Sequence, residues 1–340
     1  MKYLYSWLKE LYPTIPGLGE LESLLIQLGH DVESITPVTY DGVIVAQIQT
    51  IEKHPNADRL SLVTITTGHT THKVVCGAPH LTVGQKVAYA PVGTTLHCGL
   101  TLRPISIRGE ASEGMLCAPD ELGIGTSHEG LLTLPDTATA GEPLDEYAPQ
   151  DAIISLDITS NRGDVLSHFG LARDLKAGAE QKLLTPSFLS IQTEAPTEAE
   201  IGEIHSDVTA FSLASTTDVK SSTTPLYMQS RLLLLGQKPI NLATDITNYL
   251  QLEYGQPLHA YDAKKLQAPI QISVRRAHQD ERIQLLNGKS TTLSPQSLVI
   301  SSHEHAVALA GVMGGEETKV TKETTDVLLE SAHFHAKAVT

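Results

Sequence analysis

The sequence predicts an α+β protein of several domains, on three observations. Hydrophobic periodicity changes twice along the 340 residues. Helical spacing opens the chain, two-residue alternation fills the middle, and the second half mixes both. Gly, Pro and Asn interrupt the alternating stretch at short intervals, as turns between strands require. A third signal is LTPSFLSIQTEAPTEAEI (184–201), whose Pro, Thr and Glu content is that of a linker between halves.

Residues 1–40 read as two short helices. Trp7, Leu8 and Leu11 share one face of the first; Leu21, Leu24, Leu25 and Leu28 share one face of the second, which Gly29 ends. Five alternating segments follow: 43–51, 60–67, 72–77, 85–92 and 100–109. Together they predict an all-β domain of small-barrel type over 41–150. Residues 151–185 return to a strand, Ile153 to Ile158, and a helix from about Val165 to Ala179. Asp164 is the expected cap, and Leu166, Phe169 and Leu171 the buried side. Residues 1–40 and 151–185 thus form one small α+β module split by the barrel. The third domain, 200–340, carries strands at 270–275 and 296–301 and helices at about 225–235 and 240–253. The chain stops at AHFHAKAVT, inside what reads as an element.

Composition excludes several classes of function. The formal net charge of −15 argues against a general nucleic-acid binder, so any RNA contact is local or shared with a partner. Cys76, Cys98 and Cys117, odd in number and without CxxC spacing, fit a reducing compartment. The start, MKYLYSWLKELYP, has Lys2, Lys9 and Glu10 among its apolar residues and lacks the core of a signal peptide. No run approaches the ~18 apolar residues of a membrane span. A cytoplasmic protein without membrane contact is expected. No P-loop, dinucleotide GxGxxG or GxSxG elbow is present. His303-x-His305 and His333-x-His335 lack a third ligand at suitable spacing, so no metal site is predicted.

The most informative segment is PINLATDITNYLQLEYGQPLHAYD (239–262). It sets Thr247, Asn248, Gln256 and His259 among apolar Ile246, Tyr249, Leu250, Leu252 and Leu258. A helix from about Asn241 to Glu253 stops at Gly255. Pro257 then forces Gln256 into extended geometry. His259 is expected on that arm, opposite the helix face with Thr247 and Asn248, as one wall of a pocket. Further on, AGVMGG supplies adjacent glycines, Gly314 and Gly315, behind an apolar strand, where a ligand can lie on bare backbone. Glu330 follows Val327, Leu328 and Leu329. A carboxylate in that setting is hydrogen-bonded or functional, and by spacing alone a strand-end Glu bonding backbone N–H groups is the commoner case.

In their order, these segments resemble the β subunit of bacterial phenylalanyl-tRNA synthetase over essentially the whole chain. HPNADRL (54–60), VVCGAP (74–79) and LRPISIRGEASEGMLCAPDELG (102–123) are similar to its tRNA-binding OB-fold domain. SNRGD (160–164) before GLAR (170–173) is similar to another of its stretches, with Ser160 and Gly163 where prolines are usual, and Leu242 stands where Asn is frequent. The second half resembles the family's B3/B4 editing module. The resemblance implies an α2β2 heterotetramer with the α subunit, which joins phenylalanine to tRNA(Phe) using ATP and Mg²⁺ held outside these residues. It also implies hydrolysis of mischarged Tyr-tRNA(Phe).

Thr247, Asn248 and His259 would position the ester or a water. Glu330 would accept the tyrosine hydroxyl, with Gly314 and Gly315 leaving room for the ring. Lys53, Arg59, Arg103 and Arg108 are the best phosphate contacts, although six Lys/Arg face eleven Asp/Glu between 42 and 148. The family's next editing motif is not present before Thr340, so this stretch alone is expected to hydrolyse weakly or not at all. The rival reading is a free-standing tRNA-binding or trans-editing protein.

Overall fold

The computed structural model describes residues 1–96, 99–124, 128, 130–148, 151–176, 199–220 and 224–339, with backbone alone at 226. The linker over 184–201 (but for its last three residues), Cys98, the expected helix end at Ala179 and Thr340 lie outside the described residues. Two compact units emerge: Met1–Leu183 with Pro225–Pro239, and Leu184–Thr224 with Ile240–Thr340.

In the first unit, β1 (Lys2–Leu4), α1 (Tyr5–Leu11), α2 (Leu18–Gln27) and β2 (Asp31–Val38) precede the alternating segments. Trp7, Leu8, Leu21 and Leu25 are buried as the helical spacing predicts, and Gly29 takes the left-handed conformation after α2. The alternating stretch forms β3 (Ile44–Lys53), β4 (Ser61–Thr66), β5 (Thr71–Cys76), β6 (Lys86–Pro91), β7 (Ile105–Ile107), β8 (Glu110–Ser112) and β9 (Gly114–Leu116). Next come β10 (Asp151–Asp157) and α3 (His168–Leu175), and later α4 (Leu226–Leu234).

The sequence shows β10 but not its partners. β1 and β2 pair antiparallel on either side of it, in register Tyr3↔Ile154 and Ile35↔Ile154. Tyr3, Leu8, Leu21, Leu25, Ile154, Leu156, Leu171 and Leu175 then share one core. β1 is too short, and β2 too exposed, to display alternation.

Asp164 does not cap α3. Ser167 does, its hydroxyl accepting the Gly170 N–H at 3.0 Å. Asp164 lies one turn earlier and takes the Arg162 guanidinium at 3.0 and 3.2 Å. Leu166, expected in the core, is 48% exposed for the same reason. Gly170 is required: a Cβ there would lie 2.1 Å from the Asp164 carbonyl oxygen. The Arg231 guanidinium of α4 stacks 4.7 Å from the centre of the Trp7 ring and pairs with Glu10.

The all-β segment forms a five-stranded sheet in the order β5-β4-β3-β6-β9 around Ala46, Ile48, Val63, Ile65, Val74, Tyr89 and Leu116. It curls until its edges meet, the Glu113 N–H donating to Lys73 O at 2.9 Å and the Val75 N–H to Ser112 Oγ at 3.1 Å. The result is a nearly closed barrel. Gly114 makes the closure possible, because a Cβ would lie 2.5 Å from Ala90 O. The expected strand over 100–109 survives only as Ile105–Ile107, in a hairpin with β8.

The second unit holds β11 (Glu200–Ile204), β12 (Val208–Thr216), α5 (Leu242–Tyr254), β13 (Leu258–Asp262), β14 (Gln271–Arg276), β15 (Arg282–Gln284), β16 (Ser290–Thr292), β17 (Leu298–Ser302), β18 (His305–Leu309), β19 (Met313–Gly314), β20 (Val327–Phe334) and α6 (Ala336–Val339). One sheet runs β11-β14-β17-β18-β19, parallel only at β11–β14; the other runs β12-β20-β13, all antiparallel. Tyr261 and Leu328 from the second sheet pack with Ile272, Val274, Leu298 and Ile300 from the first in one core. α5 packs against β13. Among the described residues no helix is long and apolar enough to cross a membrane.

α5 has both ends that the sequence requires. Asn241 Oδ1 accepts the Thr244 N–H at 3.0 Å, and Gly255 at φ 80° donates to Gln251 O. Asn241→Ala is expected to cost about 1 kcal/mol, read as a lower denaturant midpoint; an unchanged midpoint contradicts the cap.

Candidate functional site

The second unit's site follows from strand register. In the β13–β20 ladder His259 stands directly opposite Glu330, so both side chains leave the same face. Tyr261, two residues beyond His259, shares that face. Its hydroxyl donates to Glu330 Oε2 at 2.6 Å, and its ring meets the imidazole edge-on at 4.5 Å between centres. Gly314 of β19 closes on the imidazole from the facing sheet: a Cβ there would lie 2.3 Å from His259 Cε1 and 2.6 Å from Nε2. His259, Gly314 and Glu330 line one cavity of about 310 Å³ with Gln251, Ile300, Ala308 and Phe334.

Burial sets the charges. Glu330 is 5% exposed, and desolvation pushes its carboxyl up to about 7, with the Tyr261 hydrogen bond opposing the rise. Desolvation pushes the His259 imidazole down to about 4, so it is neutral at physiological pH. Its Nε2 is buried and takes no partner among the described residues. The Tyr261 phenol is raised well above its ordinary range by burial and by Glu330. A neutral imidazole beside a carboxyl that titrates near neutrality can orient a water and accept a hydrogen bond.

The other expected residues fall elsewhere. Thr247 is buried on α5 with its hydroxyl donating to Thr244 O at 2.8 Å, and Asn248 is half-buried beside it. Neither lines the cavity; Gln251, one turn on, does. Gly315 faces away, its N–H donating to Val307 O at 2.8 Å, and lines a separate cavity with Arg282 and Thr318. The space at Gly314 accommodates the imidazole. Glu330 lies within β20 rather than at its end, and its carboxylate bonds a phenol, not backbone N–H groups. Tyr261 and Gln251 escaped the sequence reading. Two-residue spacing from His259 and three-residue spacing from Asn248 were the available signals.

In the barrel, the turn 54–59 is tied to the β7–β8 hairpin. His54, 2% exposed, accepts the Asn56 N–H on Nδ1 at 3.0 Å, so its Nε2 carries the proton and donates to Ile107 O at 3.1 Å. Asn56 Nδ2 donates to Arg108 O at 3.1 Å. This links the turn bearing Arg59, which follows Lys53 at the end of β3, to Arg108. Lys53, Arg59, Arg103 and Arg108 are all exposed, and Lys53 pairs with Asp58 at 3.3 Å. His303 bonds Pro269 O at 2.8 Å and His333 bonds Thr209. Among the described residues no three His, Cys, Asp or Glu side chains gather as metal ligands.

The first unit thus carries a barrel with exposed cations, and the second a two-sheet domain with a buried acid and imidazole in one cavity. The family model for the tRNA binding domain matches residues 43–143, and that for the B3/4 domain matches 208–340. The phenylalanine–tRNA ligase beta subunit of Pseudomonas fluorescens is 39% identical over 346 residues, covering 100% of this chain and 43% of its own length. That of Salinibacter ruber is 37% identical over 366 residues, again covering 100% and 43%. A solved N-terminal fragment of the phenylalanyl-tRNA synthetase beta subunit from Pyrococcus horikoshii shares 16% identity, covering 56% of this chain and 58% of that one. Its TM-score of 0.30 is too low to carry an argument.

The chain belongs to the phenylalanine–tRNA ligase beta subunit family and spans less than half the length of the curated relatives it matches.

Burial raises the Glu330 carboxyl from its ordinary 4.5 to about 7 in the folded state. Its ionisation therefore weakens the fold as pH rises from 4.5 through 7, and below 4.5 it costs nothing. Glu330→Gln is expected to raise the thermal midpoint at pH 8 and to leave it nearly unchanged at pH 4. An equal shift at both pH values contradicts the buried, raised carboxyl.

Proposed function

We propose that this chain is the tRNA-contacting and proofreading portion of a phenylalanine–tRNA ligase β subunit. The barrel is an OB-fold over residues 41–150, inserted into a module of 1–40 and 151–185, and residues 200–340 are the editing domain. The whole enzyme is a cytoplasmic α2β2 complex that attaches phenylalanine to tRNA(Phe). ATP and Mg²⁺ supply the activation step there. Among the described residues no donor set suited to either is gathered.

The observation that carries this reading is the buried Glu330 opposite His259 in one cavity. Tyrosine differs from phenylalanine by one hydroxyl, which an apolar synthetic pocket rejects weakly. A site built to bond that hydroxyl discriminates by ~10⁴ to 10⁵. Glu330 accepts the phenol hydroxyl. Neutral His259 orients water toward the ester carbonyl. Water adds to that carbon, the bond to the terminal ribose oxygen breaks, and the oxygen leaves with a proton as the free hydroxyl. Free tyrosine and uncharged tRNA(Phe) result. Asn248 and Thr247 act from α5, behind the cavity wall, and Gly314 admits the imidazole.

The test is deacylation of preformed Tyr-tRNA(Phe) and Phe-tRNA(Phe) by the full-length β subunit with its α partner. The parent enzyme hydrolyses the tyrosyl ester selectively, and Glu330→Ala loses that activity by about ten- to a hundredfold, on the scale of a lost hydrogen bond to a charged group. No hydrolysis by the parent complex sinks the proposal.

For the barrel, Lys53, Arg59, Arg103 and Arg108 contact phosphates. Arg59→Gln with Arg108→Gln is expected to weaken tRNA(Phe) binding and to flatten its log–log salt dependence by about one unit per lost contact. An unchanged slope removes the barrel from the interface.

A further inference from the structure

The acceptor assigned above to a substrate hydroxyl already holds a tyrosine hydroxyl of the chain itself. Tyr261 is 0% exposed, and its phenol donates to Glu330 Oε2 at 2.6 Å. Among the described residues no other group bonds the Glu330 carboxylate, and Oε1 is neither partnered nor fully buried. Glu330 lines the cavity, so Oε1 is the oxygen left to a ligand.

We infer that Tyr261 is a positioning residue for hydroxyl selection: its phenol fixes Glu330 by one oxygen and presents the other to the phenol of the ligand. The carboxylate is then shared between two phenols, one from the protein and one from the substrate. The substrate class is that of the proposed function, an aromatic aminoacyl ester whose ring bears a hydroxyl. A ring without one leaves Oε1 desolvated and unbonded, which is costly in so buried a place. The inference rests on the proposed function for its substrate and on the geometry alone for the coupling of Tyr261 to Glu330.

The ionisable groups that face Glu330 are few. β13 presents His259 and Tyr261, and β12 presents Leu213 in register with Glu330. The facing sheet brings Ile300, Ala308 and Gly314 to the cavity, and α5 brings Gln251. His259 is neutral throughout the relevant range. The phenol hydrogen bond is thus the interaction that opposes the desolvation of Glu330.

Tyr261→Phe deletes this hydroxyl and keeps the ring that packs on His259 and in the core. In the whole α2β2 enzyme, Tyr261→Phe is expected to raise KM for Tyr-tRNA(Phe) deacylation about tenfold, the scale of one hydrogen bond to a charged group. The acid limb of the pH profile moves to higher pH. In a Glu330→Gln background the same substitution has little effect, because the two residues act as one unit. A Tyr261→Phe enzyme with the parent's KM and pH profile overturns the inference, as does an equal loss in both backgrounds. Should the parent enzyme hydrolyse no Tyr-tRNA(Phe), the proposed function fails and the coupling is read directly. Isotope-edited infrared titration of the Glu330 carboxyl then moves upward in Tyr261→Phe if the inference holds, and an unmoved titration overturns it.

Discussion

The antiparallel pairing of β13 with β20 is the constraint on which the second unit's chemistry depends. It sets His259 opposite Glu330 and, two residues along, brings Tyr261 within hydrogen-bond reach of the same carboxylate. A slip of one residue would send either side chain to the other face of the sheet. Three features hold that register. Gly255 ends α5 in the left-handed conformation, and the chain turns directly into β13. β12 pairs with the far edge of β20, so the Glu330 strand is central and not free to slide. Gly314 brings β19 against the imidazole where any side chain would collide with it.

Burial then gives these groups their chemical character. The same desolvation acts in opposite directions on the two partners, raising the acid and lowering the base. Each is driven toward neutrality. An exposed Glu–His pair would form an ion pair at neutral pH, with the carboxylate satisfied and the imidazole unable to accept. Here Nε2 of His259 has no partner among the described residues, and Glu330 is bonded by a neutral phenol. The proposed selection of a phenolic ligand uses that residual capacity, and it explains why a tyrosine lies inside a site proposed to recognise tyrosine.

Much of this was legible in the residues. Helical spacing and a terminal glycine predict α1, α2 and α5, and alternation with turn residues predicts the barrel strands, because those signals are local. What was not legible depends on pairing across the chain. β1 and β2 acquire strand geometry only by flanking β10, more than about 110 residues away in sequence. Ser167 displaces Asp164 as the cap of α3 because Arg162 engages Asp164 in a tight turn before the helix begins. At the site, His259, Gly314 and Glu330, grouped in the sequence only through the family resemblance, line one cavity. Thr247, Asn248 and Gly315 do not line it. A helix turns by 3.6 residues and adjacent strand residues alternate faces, so neighbours in sequence part company in space. The same periodicities bring in Gln251 and Tyr261.

The central claim is that Glu330 receives a ligand's phenol hydroxyl in a pocket built by β13, β19 and β20. The most direct measurement is a crystal structure of the full enzyme with a non-hydrolysable tyrosyl-adenosine amide, beside binding of the phenylalanyl analogue. The account predicts the ligand's hydroxyl on Glu330 with Tyr261 still bonded to the other oxygen, and far weaker binding of the phenylalanyl compound. A tyrosyl ring bound away from Glu330, or equal affinity for both compounds, would contradict it.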